Sequence, residues 1–151
     1  MTITVNPVAV AASIANLTIS GVTLKDIDEI PDSGAMQCPV ILPQPNDFIT
    51  TIQNTRVSFG SMGNEAENFE YNLNYVFLYT DSGSGQGAFA DYSGLITKLT
   101  LIINTILNND VVSGLVDMEL ESISGIGQIE DPSGNPYWGA FFTLKCLEYG
   151  K

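Results

Sequence analysis

The stretch that decides the fold reads Phe69-Glu-Tyr-Asn-Leu-Asn-Tyr-Val-Phe-Leu-Tyr79. Every odd-numbered position in it is aromatic or Leu, whereas the first three even-numbered positions are polar: Glu70, Asn72 and Asn74. Strict alternation of this kind predicts a strand with two different faces. We predict a long antiparallel strand from Glu67 to Thr80. Its polar face is expected to meet solvent near the start and to be covered by another part of the chain at Val76 and Leu78.

Helical spacing appears on both sides of this strand. From Tyr92 to Asn108, one apolar stripe has a second row beside it, which predicts a helix pressed against a sheet; the residues are Leu95, Leu99, Ile102 and Ile106, with Ile96, Ile103 and Leu107 alongside. The Ala-rich segment from Val8 to Leu17 follows Pro7, a residue suited to the first turn of a helix. We therefore predict an N-terminal helix there, ended by Gly21.

Three segments before the long strand predict shorter β elements. The segment Val22–Ile30 predicts a short strand with a turn, and the Pro-rich segment Cys38–Pro45 predicts a sheet edge or an extended connection. Downstream, a third strand is predicted whose odd-numbered positions share a face: Ile49, Thr51, Thr55, Val57 and Phe59.

Two strands are predicted to close the chain. The first runs from Asp117 to Ile129, with a bulge expected at Gly125 and Gly127. The second runs from Tyr137 to Tyr149, and the segment between them, 130–136, predicts a hairpin turn. This order of elements predicts an α+β fold, in which the long helix and the N-terminal helix pack on one face of an antiparallel sheet. With 151 residues, the chain is expected to form one domain, 1–151.

Composition narrows the possible functions. The chain has no histidine, which excludes Ser-His-Asp and Cys-His nucleophiles and His-ligated zinc. The net charge is −12, and the five basic residues are scattered, which argues against a nucleic-acid or anionic-membrane reader. No membrane span or signal peptide is recognisable, so we expect a protein made in a cytoplasm-like compartment. Cys38 and Cys146 are expected to be reduced and mostly buried thiols.

Four local patterns could carry chemistry, and each has a plainer interpretation. The segment Gly83–Ala88 matches the dinucleotide pattern G-x-G-x-x-G/A, but the strand before it is amphipathic, so a glycine loop is favoured. The acidic group Asp26, Asp28, Glu29 and Asp32 lacks the spacing of a calcium loop and is interpreted as a solvated edge.

The other two patterns lie on strands. Glu119 and Glu121 flank one residue, as an acid/base pair would, but no catalytic neighbour accompanies them, so solvent-facing positions are favoured. The aromatic residues of 69–79 could stack nucleotide bases, although core or interface packing fits them better. We predict no catalytic residue, no cofactor and no metal site, and hence no enzyme.

Several signatures together resemble the tail terminator and neck-type proteins of long-tailed bacteriophages. They are Val22-Thr-Leu-Lys-Asp-Ile-Asp-Glu-Ile-Pro31, Cys38-Pro-Val-Ile-Leu-Pro43, Tyr71-Asn-Leu-Asn-Tyr-Val-Phe-Leu-Tyr79, and the closing segment from Asp131-Pro-Ser-Gly-Asn-Pro-Tyr-Trp138 to Tyr149. The resemblance rests on segment order from about Val8 onward. It implies an α+β subunit of a hexameric ring that caps the head-proximal end of the tail tube, ends tube polymerisation and meets the head connector. Tail tube protein and head-tail connector protein are the implied partners.

The implied location is the virion tail or neck, assembled in the host cytoplasm, with DNA passing nearby without specific binding. Alternatives are a tube or minor tail protein, a connector stopper, or a small-ligand-binding domain. We expect the glycine loop and the closing turn to touch neighbours because both are short of core residues. The predicted interface residues are Asp81, Ser82, Gly83, Gly85, Gly87, Phe89, Asp131, Asn135 and Trp138.

Overall fold

The computed structural model of the chain describes residues 6–30, 37–44, 47–59, 64–81, 92–109, 111–112, 116–130 and 134–149. Two α-helices lie in these ranges, α1 (Pro7–Ala15) and α2 (Tyr92–Leu107), together with a 3-10 helix (Ile27–Glu29). The strands are β1 (Thr23–Leu24), β2 (Val40–Pro43), β3 (Ile49–Phe59), β4 (Asn64–Asp81), β5 (Val111–Val112), β6 (Val116–Ile123), β7 (Gly127–Glu130) and β8 (Pro136–Tyr149).

The two longest strands form the centre of the sheet. β4 and β8 are antiparallel, and their register runs from Asn68 opposite Tyr149 to Asp81 opposite Tyr137. On its other edge, β4 pairs with β3 along its first half and with β2 near its end. On its other edge, β8 pairs with β7 near its start and with β6 along its second half. β1 joins β2 in the only parallel pairing of the described strands, and β5 joins β6. The fold is α+β with a mostly antiparallel sheet, as predicted.

One face of the central pair, here called the inner face, is apolar from Phe69 to Phe77 of β4 and from Ala140 to Cys146 of β8. It comprises the odd-numbered residues of β4 and the even-numbered residues of β8, which alternate as the sequence predicts. Burying an aromatic or aliphatic side chain of this size contributes about 1.5–3 kcal/mol each. The inner face therefore contains much of the core, in one cluster with residues of both helices: Tyr71, Leu73, Tyr75, Phe77, Phe142, Leu144, Cys146, Val10, Ile14, Ile102 and Ile106.

The opposite face, here called the outer face, changes character along β4. Asn72 and Asn74 are half-buried near the start of the strand. Val76 and Leu78 are buried further along, where they belong to a second apolar cluster with residues of β2, β7 and β8, among them Val40, Leu42, Ile129 and Tyr137. The prediction that other parts of the chain cover Val76 and Leu78 is confirmed.

Both helices lie close to their predicted positions. α2 is confirmed, with Leu95, Ile102 and Ile106 buried, but Ile96 and Leu107 of the second row are exposed. α1 is shorter than predicted, because it ends at Ala15 with Asn16 as its C-cap, well before Gly21.

The prediction that the odd-numbered positions of β3 share one face is wrong. Ile49 lies opposite Leu73, an odd-numbered residue of β4, whereas Gln53 lies opposite the even-numbered Glu70. A bulge between Thr50 and Gln53 inserts one extra residue, and Thr51 within it has a φ of 54°. One extra residue reverses the alternation, because strand side chains repeat every second position.

Two further predictions about strands are corrected. β2 is not at the sheet edge, because it pairs with β4 on one side and with the two-residue β1 on the other. The predicted strand Asp117–Ile129 is two strands, β6 and β7, both paired with β8. β6 ends at Ile123 and β7 begins at Gly127, so the predicted strand is interrupted around Gly125. The bulge lies instead at Glu121, between Leu120 and Ser122. β5 had no sequence prediction.

Candidate functional site

An open groove of about 370 Å³ crosses the polar half of the outer face. Its lining includes three carboxylates from two strands and one lysine from the strand between them: Glu70, Asp117, Glu119 and Lys145. The register explains the grouping, because Lys145 of β8 lies between Asn72 of β4 and Glu119 of β6. Leu147 adds an apolar contact surface. The groove is therefore acidic, with one cation at its centre.

Lys145 is held by an ion pair. Its Nζ lies 2.7 Å from Glu70 Oε1 and 4.0 Å from Glu119 Oε1. The hydrogen bond and charge of Glu70, followed by the charges of Glu119 and Glu121, raise the pKa of Lys145. Glu70 is thus engaged by an ammonium group, while Asp117, Glu119 and Glu121 are exposed to solvent. The prediction that Glu119 and Glu121 are solvent-facing is confirmed.

Asn74 organises the same face next to the groove. Its Nδ2 donates to the Asp47 carbonyl oxygen at 2.7 Å and to Thr50 Oγ1 at 3.0 Å, and its Oδ1 accepts from Thr143 Oγ1 at 2.8 Å. Its backbone N–H donates to the Phe48 carbonyl oxygen at 2.8 Å. One side chain therefore joins β8 to the start of β3, just before the bulge.

Titratable groups on the inner face have a different environment. Burial, and then the charge of Glu148, raises the pKa of Cys146 to about 12. Burial also raises the pKa values of Tyr71 and Tyr75 above their usual range, with nearby acids adding to the effect. Glu148 is buried, and its two carboxylate oxygens accept from the Asn6 backbone N–H at 3.1 and 3.2 Å. This carboxylate fixes the start of α1 to the end of β8.

The acidic group near residue 26 has a structural role. Asp26 Oδ1 accepts from the Ile27 N–H at 2.7 Å, and Glu29 Oε1 accepts from the Asp26 N–H at 2.9 Å, which forms a capping box on the 3-10 helix. Asp28 is exposed and Asp32 lies outside the described residues. Among the residues that the structure describes, no group of three or more Cys, Asp or Glu side chains is arranged to hold a metal ion.

The structure describes three of the nine predicted interface residues. It brings Asp81 and Trp138 to the same end of the sheet, where Asp81 lies opposite Tyr137 and Thr80 opposite Trp138. Asn135 precedes β8 and is half-buried, as is Trp138. The other six predicted residues lie outside the described residues: Ser82, Gly83, Gly85, Gly87, Phe89 and Asp131. The motif Gly83–Ala88 lies outside them as well. The hairpin is confirmed by the pairing of β7 with β8.

Large apolar side chains are exposed on several elements. Ile52 of the β3 bulge is 64% exposed, and Leu107 of α2 is 65% exposed. Val8, Tyr92, Ile96 and Phe141 are also exposed. Exposed apolar residues scattered in this way are common on protein surfaces.

Sequence reasoning missed the groove at Lys145. The signal that could have found it is the alternation of β8, which places Thr143, Lys145 and Leu147 on one face. Pairing that face with the polar positions of β4 would have placed Lys145 near Glu70. The sequence does not fix which strands are neighbours, and the contact depends on that.

Two remaining expectations concern the thiols and the membrane. Neither cysteine forms a disulfide, as predicted, and Cys146 is buried while Cys38 is half-buried. In the described part of the chain, neither helix has the length and apolar character needed to cross a bilayer.

Comparison with known proteins adds no family assignment. No protein-family model matches the chain, and no curated protein matches its sequence.

Proposed function

We propose that this protein is a structural virion component that forms a ring, which we expect to be hexameric, on the head-proximal end of a phage tail tube. The ring ends tube polymerisation and joins the tail to the head connector. The observation that carries the proposal is the asymmetry of the sheet, whose inner face packs with both helices in one cluster while its outer face presents exposed carboxylates. This asymmetry suits a ring subunit, because the buried inner face would lie within the wall of the ring and the charged outer face would line its central channel.

The proposal includes the packing of both helices on one face of the sheet. Val10 of α1 and Ile102 of α2 share a core cluster with Tyr71 and Leu144, which supports this arrangement. With the helices on the inner face, the acidic half of the outer face remains open for contact with solvent or a passing chain.

We infer that this acidic half faces the bore. DNA moving past it would meet like charge and would not adhere, because the phosphate backbone is repelled by carboxylates. Replacing Glu119 and Glu121 with Lys should then slow genome ejection. The matched control is Asp28→Lys on the 3-10 helix, where a charge reversal should leave ejection unchanged. Equal ejection kinetics in the wild-type phage, the Glu119→Lys/Glu121→Lys phage and the Asp28→Lys phage would contradict the placement of this face in the bore.

Phage assembled without this protein tests the function itself. Electron micrographs should show overlong tails or tails without heads, because nothing stops the tube or joins it to the connector. Normal virions would contradict the proposal. A tube or minor tail protein is distinguished by its assembly, since purified protein would then polymerise beyond one ring.

The groove at Lys145 favours a second candidate, a domain that binds a small cationic ligand. Polyamines or guanidinium compounds would then raise the melting temperature of the purified chain, and Asp117→Asn would abolish the shift. No shift at millimolar ligand would leave the structural role as the better account.

A further inference from the structure

We propose that the two open edges of the sheet are the two halves of one subunit contact, in which β3 of one copy pairs with β6 of the next. The occupant of each edge is a second copy of this chain. The inference rests on the proposed ring and specifies how its subunits join.

β3 forms one open edge of the sheet among the described strands. β3 has 11 residues and pairs with β4 on one side, and none of the described strands pairs with its other side. Residues 51–54 are exposed, including Ile52 in the bulge. The strand contains neither Pro nor Lys, two residues with which proteins commonly block a sheet edge. Backbone groups on this side are thus free to extend the sheet.

The β6 edge is the counterpart on the other side of the sheet. β5 covers only its first two residues, Val116 and Asp117. From Met118 to Ile123, no described strand lies beyond β6. Glu119, Glu121 and Ser122 are exposed there.

The two open edges share one level of the sheet, at residues 49–52 of β3 and 118–120 of β6. One transverse row of paired residues runs from Ile49 through Leu73 and Leu144 to Leu120. The next row runs from Thr50 to Glu119. Rotation about an axis along the strands keeps each residue at its own level, so this rotation brings the β3 edge of one copy beside the β6 edge of the next. Such a head-to-tail contact closes into a ring.

Strand direction is also compatible. β3, β4, β8 and β6 are successively antiparallel, so β3 and β6 run in opposite directions. After the rotation they meet as an antiparallel pair, and the alternation continues from one copy to the next. Antiparallel pairing is slightly more stable per residue than parallel pairing.

Charge favours this pairing over the contact of two identical β6 edges. β6 carries three acidic residues, Asp117, Glu119 and Glu121, whereas β3 carries Arg56 and no acidic residue. Like charges opposite each other destabilise a strand pair, so two β6 edges repel. Residues 49–52 of β3, which lie level with residues 118–120 of β6, carry no charge.

A charge-swap series in the full-length chain tests the contact. The variant Ile52→Glu adds a negative charge to the β3 edge beside Glu119 of the next copy, and it should change the ring into folded monomers by native mass spectrometry. Adding Glu119→Lys to the same chain should restore the ring, because the swapped charges attract. Thr97→Glu/Asn104→Glu on the exposed face of α2 is the matched control and should leave the ring intact.

The outcomes separate this inference from the ring itself. A ring that persists in the β3 variant overturns the edge pairing and leaves the proposed function standing. A wild-type chain that forms no ring overturns both. If the β3 variant does not fold, hydrogen exchange of the wild type decides. Backbone amides of 49–52 and 118–120 should exchange at least tenfold more slowly in the ring than in diluted monomer, and equal rates would contradict the pairing.

Discussion

The two faces of the β4–β8 pair differ in the interactions that stabilise them. The inner face is apolar from Phe69 to Phe77 of β4, and its buried residues share one cluster with residues of both helices. The outer face is buried at Val76 and Leu78 but held at its other half by Asn74, the Lys145 ion pair and exposed carboxylates. The strand alternation therefore gives the two faces different roles. Burial of the inner face contributes most of the stability, whereas the outer face is free to carry charged side chains for contacts. Each of the following predictions tests that division.

The largest loss of stability is expected on the inner face. Phe77 is fully buried, and Phe77→Ala should lower the free energy of unfolding by about 3–5 kcal/mol, because it leaves a cavity. Phe141 on the outer face is 39% exposed, and Phe141→Ala should cost about 1 kcal/mol. Urea denaturation of both variants measures the difference. Equal losses would show that the faces do not differ in packing.

A smaller loss of stability is expected at Gly139 of β8, which packs against the backbone of β4. A Cβ at Gly139 would overlap the carbonyl oxygen of Phe77, and the backbone would have to shift. Gly139→Ala should therefore cost at least about 2 kcal/mol. At Gly125 no atom lies within 4 Å of such a Cβ, so Gly125→Ala should change the unfolding free energy by less than about 0.5 kcal/mol. Thermal denaturation of the pair would contradict this reasoning if the two melting temperatures were alike.

On the polar half of the outer face, the hydrogen bonds of Asn74 should matter more than the surface around them. Asn74→Ala removes its bonds to the Asp47 carbonyl, Thr50 and Thr143, and should cost about 1–2 kcal/mol. Asn72→Ala, two residues away on the same face, is the control and should cost less than about 0.5 kcal/mol. Hydrogen exchange should also show faster exchange at the start of β3 in the Asn74 variant alone.

The smallest effect near neutral pH is expected from the buried acids of the inner face. The pKa of Cys146 is raised to about 12, so the folded chain keeps this proton at a pH where the unfolded chain loses it. Stability is fully present below the unfolded pKa of about 9 and falls as the pH rises towards 12. Tyr71 and Tyr75 act in the same direction. Urea midpoints from pH 8 to pH 11 should decline, with a shallower slope in Cys146→Ala, and a flat profile in the wild type would contradict the burial of these groups.

The sequence predicted the elements whose periodicity is long and regular. The alternation of residues 69–79 predicted β4 and its apolar face, and the pattern of residues 137–149 predicted β8. The helical stripe from Leu95 to Ile106 predicted α2. Each pattern spans enough residues for the buried side to be unambiguous, since one face must be apolar over several repeats.

Predictions were wrong where one residue changes the alternation. The bulge in β3 reverses its faces after Thr50, and the bulge at Glu121 interrupts β6. No residue type there requires a bulge; Thr51 has a positive φ without being glycine. The groove at Lys145 was missed for a related reason, since it depends on which strands are neighbours and in what register.

Native mass spectrometry of the purified full-length chain is the most direct test of ring assembly. The account predicts one closed oligomer of fixed copy number, expected to be six, that persists when the protein concentration is raised. A chain that remains monomeric at all concentrations would contradict it, and so would a series of ever-longer oligomers without a preferred size.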